Sequence, residues 1–183
     1  DVALVDRGEP MRWLLRLWQE AQDRGGRGAL IAGDAGIGKS RTVEAPRERI
    51  AGSSHMVLSY QCSPFFSNTA LYPLIEHIQR AASIGGEDTA EMKRAKLLSW
   101  LGAEHQVRDA IALLGALLSI PVDAPPLPAM SAQRQKELTF DLLLALMQRM
   151  AADRTLLVIF EDVHWLDPTT QEFLALLIAR ARG

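Results

Sequence analysis

The chain has 183 residues, long enough for one α/β domain with a real core. Its apolar share of 48% and charged share of 23% are those of an ordered globular protein, and a formal net charge of −2 offers no basic field for nucleic acid or an anionic membrane. The single cysteine, Cys62, excludes an internal disulfide and makes a reducing cytoplasm the simpler setting, while the longest apolar run, around Ala110 to Leu118, is too short to span a bilayer.

No basic-then-apolar signal opens the chain, Asp1 is not a methionine, and Gly183 falls just after a helical pattern, so the expectation is an excised piece of a longer polypeptide. Val2 to Val5 is a short apolar stretch ending in Asp6-Arg7. Met11, Leu14, Leu15 and Trp18 recur at helical spacing and predict a helix over Pro10 to Gln22, stopped by Gly25-Gly26. Asp6 and Glu9 have the spacing of an N-terminal cap while Pro10 fits a first helical residue, which leaves the start open by a few positions. Ala29 to Ala32 reads as the first strand, continuous in apolar character as a buried parallel strand.

Gly33-Asp34-Ala35-Gly36-Ile37-Gly38-Lys39-Ser40 then fits G-x-x-x-x-G-K-[ST], the phosphate-binding loop. Its glycines let the backbone approach a ligand where a Cβ would clash, and the curled backbone aims N–H groups inward as an anion nest. Lys39 supplies a point charge for the outer phosphates and the Ser40 hydroxyl can ligate Mg²⁺. The expected nucleotide-binding set is therefore Gly33 through Ser40 together with Arg41, which opens the next helix. Pro46, about two turns into that helix, predicts a kink or an early end.

His55 to Cys62 reads as a second strand, ended by Ser63-Pro64. The stretch from Ser63 to Ala152 has a helical pattern, with helices over Leu71 to Ala82, Glu91 to Leu101, and Val107 to Leu118, the last stopped by Pro121. Pro125-Pro126-Leu127-Pro128 is a rigid, extended connector, after which Ser131 can cap a helix to about Ala152. The half of it from Leu138 to Met150 is apolar on most sides and should be buried. Thr155 to Phe160 is the most strand-like run, followed at once by Glu161-Asp162, and Asp167-Pro168 starts a final helix.

A buried parallel strand ending in two acids is the partner that a phosphate loop needs, because ligands of open α/β sheets bind at the carboxyl ends of strands. Glu161 and Asp162 can hold Mg²⁺ near Ser40, and one acid can orient or deprotonate an attacking water. By position Glu161 takes the metal role and Asp162 the water-orienting, catalytic role beside Lys39. Trp165 reads as a packing residue against the last helix, His164 as either a phosphate sensor or a surface histidine, and Cys62 as a buried apolar residue. Lys93-Arg94-Ala95-Lys96 reads as a solvated helix face, and whether Arg134 and Lys136 approach the phosphates stays open. The histidines at 55, 77, 105 and 164 have no paired metal spacing, which argues against zinc.

The loop together with Leu157-Val158-Ile159-Phe160-Glu161-Asp162-Val163-His164-Trp165-Leu166-Asp167-Pro168 resembles the AAA-type, origin-recognition-like ATPase domain of signal-transduction ATPases with numerous domains. Gln61-Cys62-Ser63-Pro64, with Asn68-Thr69-Ala70-Leu71-Tyr72-Pro73-Leu74-Ile75-Glu76, is most similar to versions fused to class III adenylate or guanylate cyclases. The resemblance implies an α/β fold, a three-layer P-loop NTPase with a parallel sheet whose later strands lie outside the chain and with a helical insertion between strands two and three. It implies one ATPase-domain fragment over 1–183, divided at 1–62, 63–152 and 153–183. ATP and Mg²⁺ are the implied cofactors. Leu4-Val5-Asp6-Arg7 stands where the family has an apolar-Gly-Arg element, so Val5 and Arg7 are implied to lie near the adenine. The implied partners are ATP or ADP, other domains of the same polypeptide and a second copy, with no direct nucleic-acid or membrane contact. Sensor residue, arginine finger and helical lid would follow later in such a polypeptide. The expected behaviour of these residues alone is weak ATP binding with little or no turnover. A transcription regulator with its DNA-binding domain elsewhere and a scaffold holding ADP are the rival functions.

Overall fold

The computed structural model describes residues 8–33, 36–50, 54–102, 108–122 and 130–181. Among them the elements run α1 (Gly8–Arg24), α2 (Lys39–Ile50), β1 (His55–Gln61), α3 (Tyr72–Ala81), α4 (Ala90–Leu101), α5 (Arg108–Leu117), α6 (Ala132–Met150), β2 (Thr155–Glu161) and α7 (Pro168–Ala181), with 3-10 turns at Pro64–Phe66 and Val163–Trp165. The helical pattern read over 63–152 corresponds to α3 through α6.

β1 and β2 pair in parallel, from His55 opposite Thr155 to Gln61 opposite Glu161, so strands nearly a hundred positions apart in the chain end side by side. Side chains alternate across a strand. Met56, Leu58 and Tyr60 therefore share one face with Leu156, Val158 and Phe160, and all six belong to the core formed with α3, α4, α6 and α7. The Tyr60 ring stacks on Phe160, its register partner, with centroids 4.6 Å apart. Burial pushes the Tyr60 hydroxyl pKa upward, and burial, then the Arg80 charge, pushes that of the adjacent His77 down. The odd-numbered residues face the other way: His55 meets Trp18 of α1 edge-on at 5.8 Å, and Glu161 meets Ser40 of α2. Helices thus cover both faces of the sheet, the long insertion on one and α1–α2 on the other.

Capping decides where the insertion's helices begin. Thr89 accepts from the Met92 N–H at 3.3 Å to start α4, and Ser131 accepts from the Arg134 N–H at 3.2 Å to start α6, as its position before the helix predicts. α6 buries Phe140, Leu143, Leu144, Leu146 and Met147, in agreement with its apolar composition. The Arg149 guanidinium donates to the Leu101 carbonyl at 3.2 Å and so ties the end of α6 to the end of α4. α7 is anchored through Phe173, which is fully buried against Phe140. At its start, Asp167 accepts from the Thr170 N–H, the Thr170 hydroxyl donates to Asp167, and Thr170 Oγ1 accepts from the Leu71 N–H at 3.1 Å. At its end, Ala181 lies so near Gly26 that a Cβ there would sit 2.6 Å from the alanine's own.

Three expectations are corrected. Ala29 to Ala32 is not a strand, and Leu30 is 76% exposed rather than buried. A strand needs a neighbour to satisfy its amides, and the only ladder among the described residues joins β1 to β2. Pro46 does not end its helix early, for α2 continues to Ile50. A proline removes one N–H from the ladder, and the bonds on either side carry the helix past it. Lys93 and Arg94 are partly covered rather than fully solvated, and Lys96 is fixed in an ion pair with Asp88 at 2.6 Å. The Pro125–Pro128 connector and Asp6 lie outside the described residues.

Candidate functional site

The described part of the loop leads directly into α2. Gly36 and Gly38 have φ of 81° and 86°, in the left-handed region that a side chain would strain. The Thr42 N–H and hydroxyl both bond the Gly38 carbonyl, at 3.0 and 3.1 Å, which locks the first turn of α2 onto the loop. Lys39 folds back over the loop, its Nζ donating to the Gly33 carbonyl at 2.9 Å. Ile37 and Arg41 are exposed. Val5, Arg7, Asp34 and Ala35, also expected at the nucleotide, lie outside the described residues.

The strand register delivers the other half. Glu161 ends β2, and its Oε2 accepts from the Ser40 hydroxyl at 3.0 Å across 121 positions of sequence. Two hard oxygen donors meet there at the surface. Mg²⁺ takes few protein ligands and completes its shell with water and phosphate oxygens, so a serine hydroxyl and one carboxylate suit it. Ser40 and Glu161 would hold the ion, which when bound would neutralise phosphate charge.

Asp162 does not share that contact. It sits just past β2 with φ 54° and ψ 42°, and its Oδ2 accepts from the Gln61 side-chain amide at 2.8 Å. Gln61 ends β1 opposite Glu161. Its role escapes sequence reasoning because it depends on register; the available signal is a polar residue closing an otherwise apolar-faced strand. The backbone of Asp162 carries a separate cost, since an ordinary L-residue in this conformation is strained by about 1 kcal/mol or more. Asp162→Gly is accordingly expected to be more stable than Asp162→Ala by about 1 kcal/mol. Urea unfolding midpoints of the two variants, each lacking the carboxylate, isolate that backbone contribution.

The remaining candidates are placed elsewhere. Arg134 and Lys136 are engaged in ion pairs with Glu137 at 3.2 Å and Glu172 at 2.7 Å. His164 is exposed and tilts against Trp165, with ring centroids 4.9 Å apart. Trp165, expected to pack on the last helix, is 41% exposed and lines a cleft with Phe66 and Tyr72. Cys62 is buried as expected, and burial, then the Asp162 and Asp167 charges, pushes its thiol up to about 11.

An uncharacterized protein of Rhizobium meliloti (strain 1021) is 30% identical over 178 residues, covering 93% of this chain and 16% of that protein. The chain therefore spans about a sixth of its relative's length. No solved structure matches it significantly. The sequence profile of the AAA ATPase domain matches residues 3–182. The parallel strands and many helices fit a P-loop NTPase-like fold, and the chain belongs to the AAA ATPase domain family.

Proposed function

We propose that these residues form the phosphate- and metal-binding part of one ATPase domain, spanning 1–183, in a larger cytoplasmic signalling protein of the class that couples numerous domains. The observation that chiefly supports it is the 3.0 Å contact between Ser40 and Glu161. A phosphate loop and a strand-end acid that touch define one place for a nucleotide's outer phosphates and their metal. In this reading Gly33 through Arg41 cradle ATP, Val5 and Arg7 lie by the adenine, and Lys39 neutralises the outer phosphates. Ser40, Glu161 and Asp162 serve Mg²⁺, and Asp162 also orients the water. Among the described residues the sheet has two strands with open edges, which suits a three-layer fold with further strands beside them. ATP binding would then bias neighbouring domains, as phosphate-held switches do, with a class III nucleotide cyclase as the proposed effector on the resemblance of the segment after β1. No helix among the described residues is long and apolar enough to cross a membrane.

Calorimetric titration of the chain with ATP tests the binding. Saturable binding that weakens about tenfold or more when Mg²⁺ is chelated is expected. Absence of binding at millimolar ATP would remove the reading. Phosphate release from the full-length polypeptide separates an ATPase from a scaffold that holds ADP.

A further inference from the structure

A small cavity of about 20 Å³ lies between β1 and the insertion helices α3, α4 and α6, on the sheet face turned away from Ser40 and Glu161. Tyr60, His77 and Trp100 line it, and the rest of its wall is apolar, with Met147 and Met150 among leucines and an isoleucine. Three polar groups therefore come to one apolar hollow. Tyr60 is only 3% exposed, and a phenol O–H or indole N–H taken out of water ordinarily finds a partner. Among the described residues neither the Tyr60 hydroxyl, the Trp100 indole N–H nor the His77 ring hydrogen-bonds to the protein. Tyr60 and His77 meet only through their rings, tilted by 57° with centroids 5.2 Å apart. A buried hydroxyl left in that state carries its whole desolvation cost.

Size and chemistry together select the occupant. One water needs about 10–15 Å³ of such space and two to four polar partners. The cavity meets both conditions for a single molecule and is too small for an organic one. Two of the polar groups are donors, and His77 supplies the acceptor. Burial, then the Arg80 charge, holds its pKa below the ordinary histidine value against the opposing Glu76 charge. At neutral pH the ring is therefore uncharged, and one nitrogen carries a free lone pair. We propose that the cavity holds one ordered water, which accepts from the Trp100 N–H and the Tyr60 O–H and donates to the neutral His77 ring. Its hydrogen bonds join β1 to α3 and α4, and so fasten the insertion to the strand that ends in Gln61. The water is part of the core, independent of any nucleotide.

A high-resolution crystal structure of the chain, with thermal unfolding of three variants at neutral pH, tests the assignment. A single peak of solvent density is expected within about 2.5–3.2 Å of the Tyr60 hydroxyl and of a His77 or Trp100 nitrogen. Tyr60→Phe keeps the ring that stacks on Phe160 and deletes only the hydroxyl. It should lower the thermal midpoint by about 2–4 °C, the loss of one net hydrogen bond in a chain of this size. A dry cavity predicts the opposite sign, because removing an orphaned hydroxyl from an apolar wall is stabilising. His77→Leu removes the acceptor, and in that background Tyr60→Phe should cost clearly less, since the two side chains share one water. An empty cavity in the crystal, or a midpoint that stays or rises in Tyr60→Phe, overturns the proposal. So does an equal loss in both backgrounds, which would mean that bulk solvent serves the hydroxyl without His77.

Discussion

Lys39→Ala is expected to lower ATP affinity by about tenfold to a hundredfold while leaving the protein folded. A hydrogen bond to a charged group contributes about 1.5–3 kcal/mol, and 1.4 kcal/mol is tenfold in binding. Against a polyphosphate the ammonium makes such a bond and adds long-range attraction, so the upper end is the better expectation. The folded protein asks less of the residue. Its Nζ–Gly33 bond of 2.9 Å is on the exposed side of the loop, where a hydrogen bond contributes about 1 kcal/mol or less. Two measurements on one variant separate these effects: calorimetric ATP affinity should collapse, and the thermal midpoint should move by only a few degrees. Unchanged affinity would place the phosphates away from this loop.

The same locality explains what could be read before any coordinates. The loop, the acid pair and α3 through α7 carry their information in short windows: a motif, a capping serine, a helical period. Ser131 starts α6 because its own hydroxyl reaches an amide three residues on. The 29–32 segment is different. Its apolar run describes what a strand would need, but pairing depends on a neighbour, and none of the described residues supplies one. An early helix end at Pro46 fails for the converse reason, since local propensity penalises a position that the rest of α2 sustains. Gln61 was invisible as a site residue. Only the parallel register of β1 and β2 brings its amide to Asp162, 101 positions away.

Phe173→Ala is expected to have the largest effect on stability, a loss of about 3–5 kcal/mol. The ring has no exposed surface and lies edge-on to Phe140, with centroids 5.5 Å apart, so its removal leaves a cavity between α6 and α7. Total stability of a domain is about 5–15 kcal/mol, which makes the variant marginal, with a midpoint lowered by about 10 °C. α7 also touches the functional half of the molecule: its end abuts Gly26, and Ile178 borders Gly28, both on the segment that enters the phosphate loop. A ligand bound only by the folded form should therefore restore part of the loss, about 2.7 kcal/mol at a hundred times its dissociation constant. Thermal unfolding of Phe173→Ala with and without MgATP should show that recovery. The Phe173→Ala, Lys39→Ala double variant should unfold close to the single core variant without ligand, since the lysine contributes little to folding, and should gain almost nothing from MgATP. Equal recovery in the two would mean that the nucleotide stabilises the fold from a site other than Lys39.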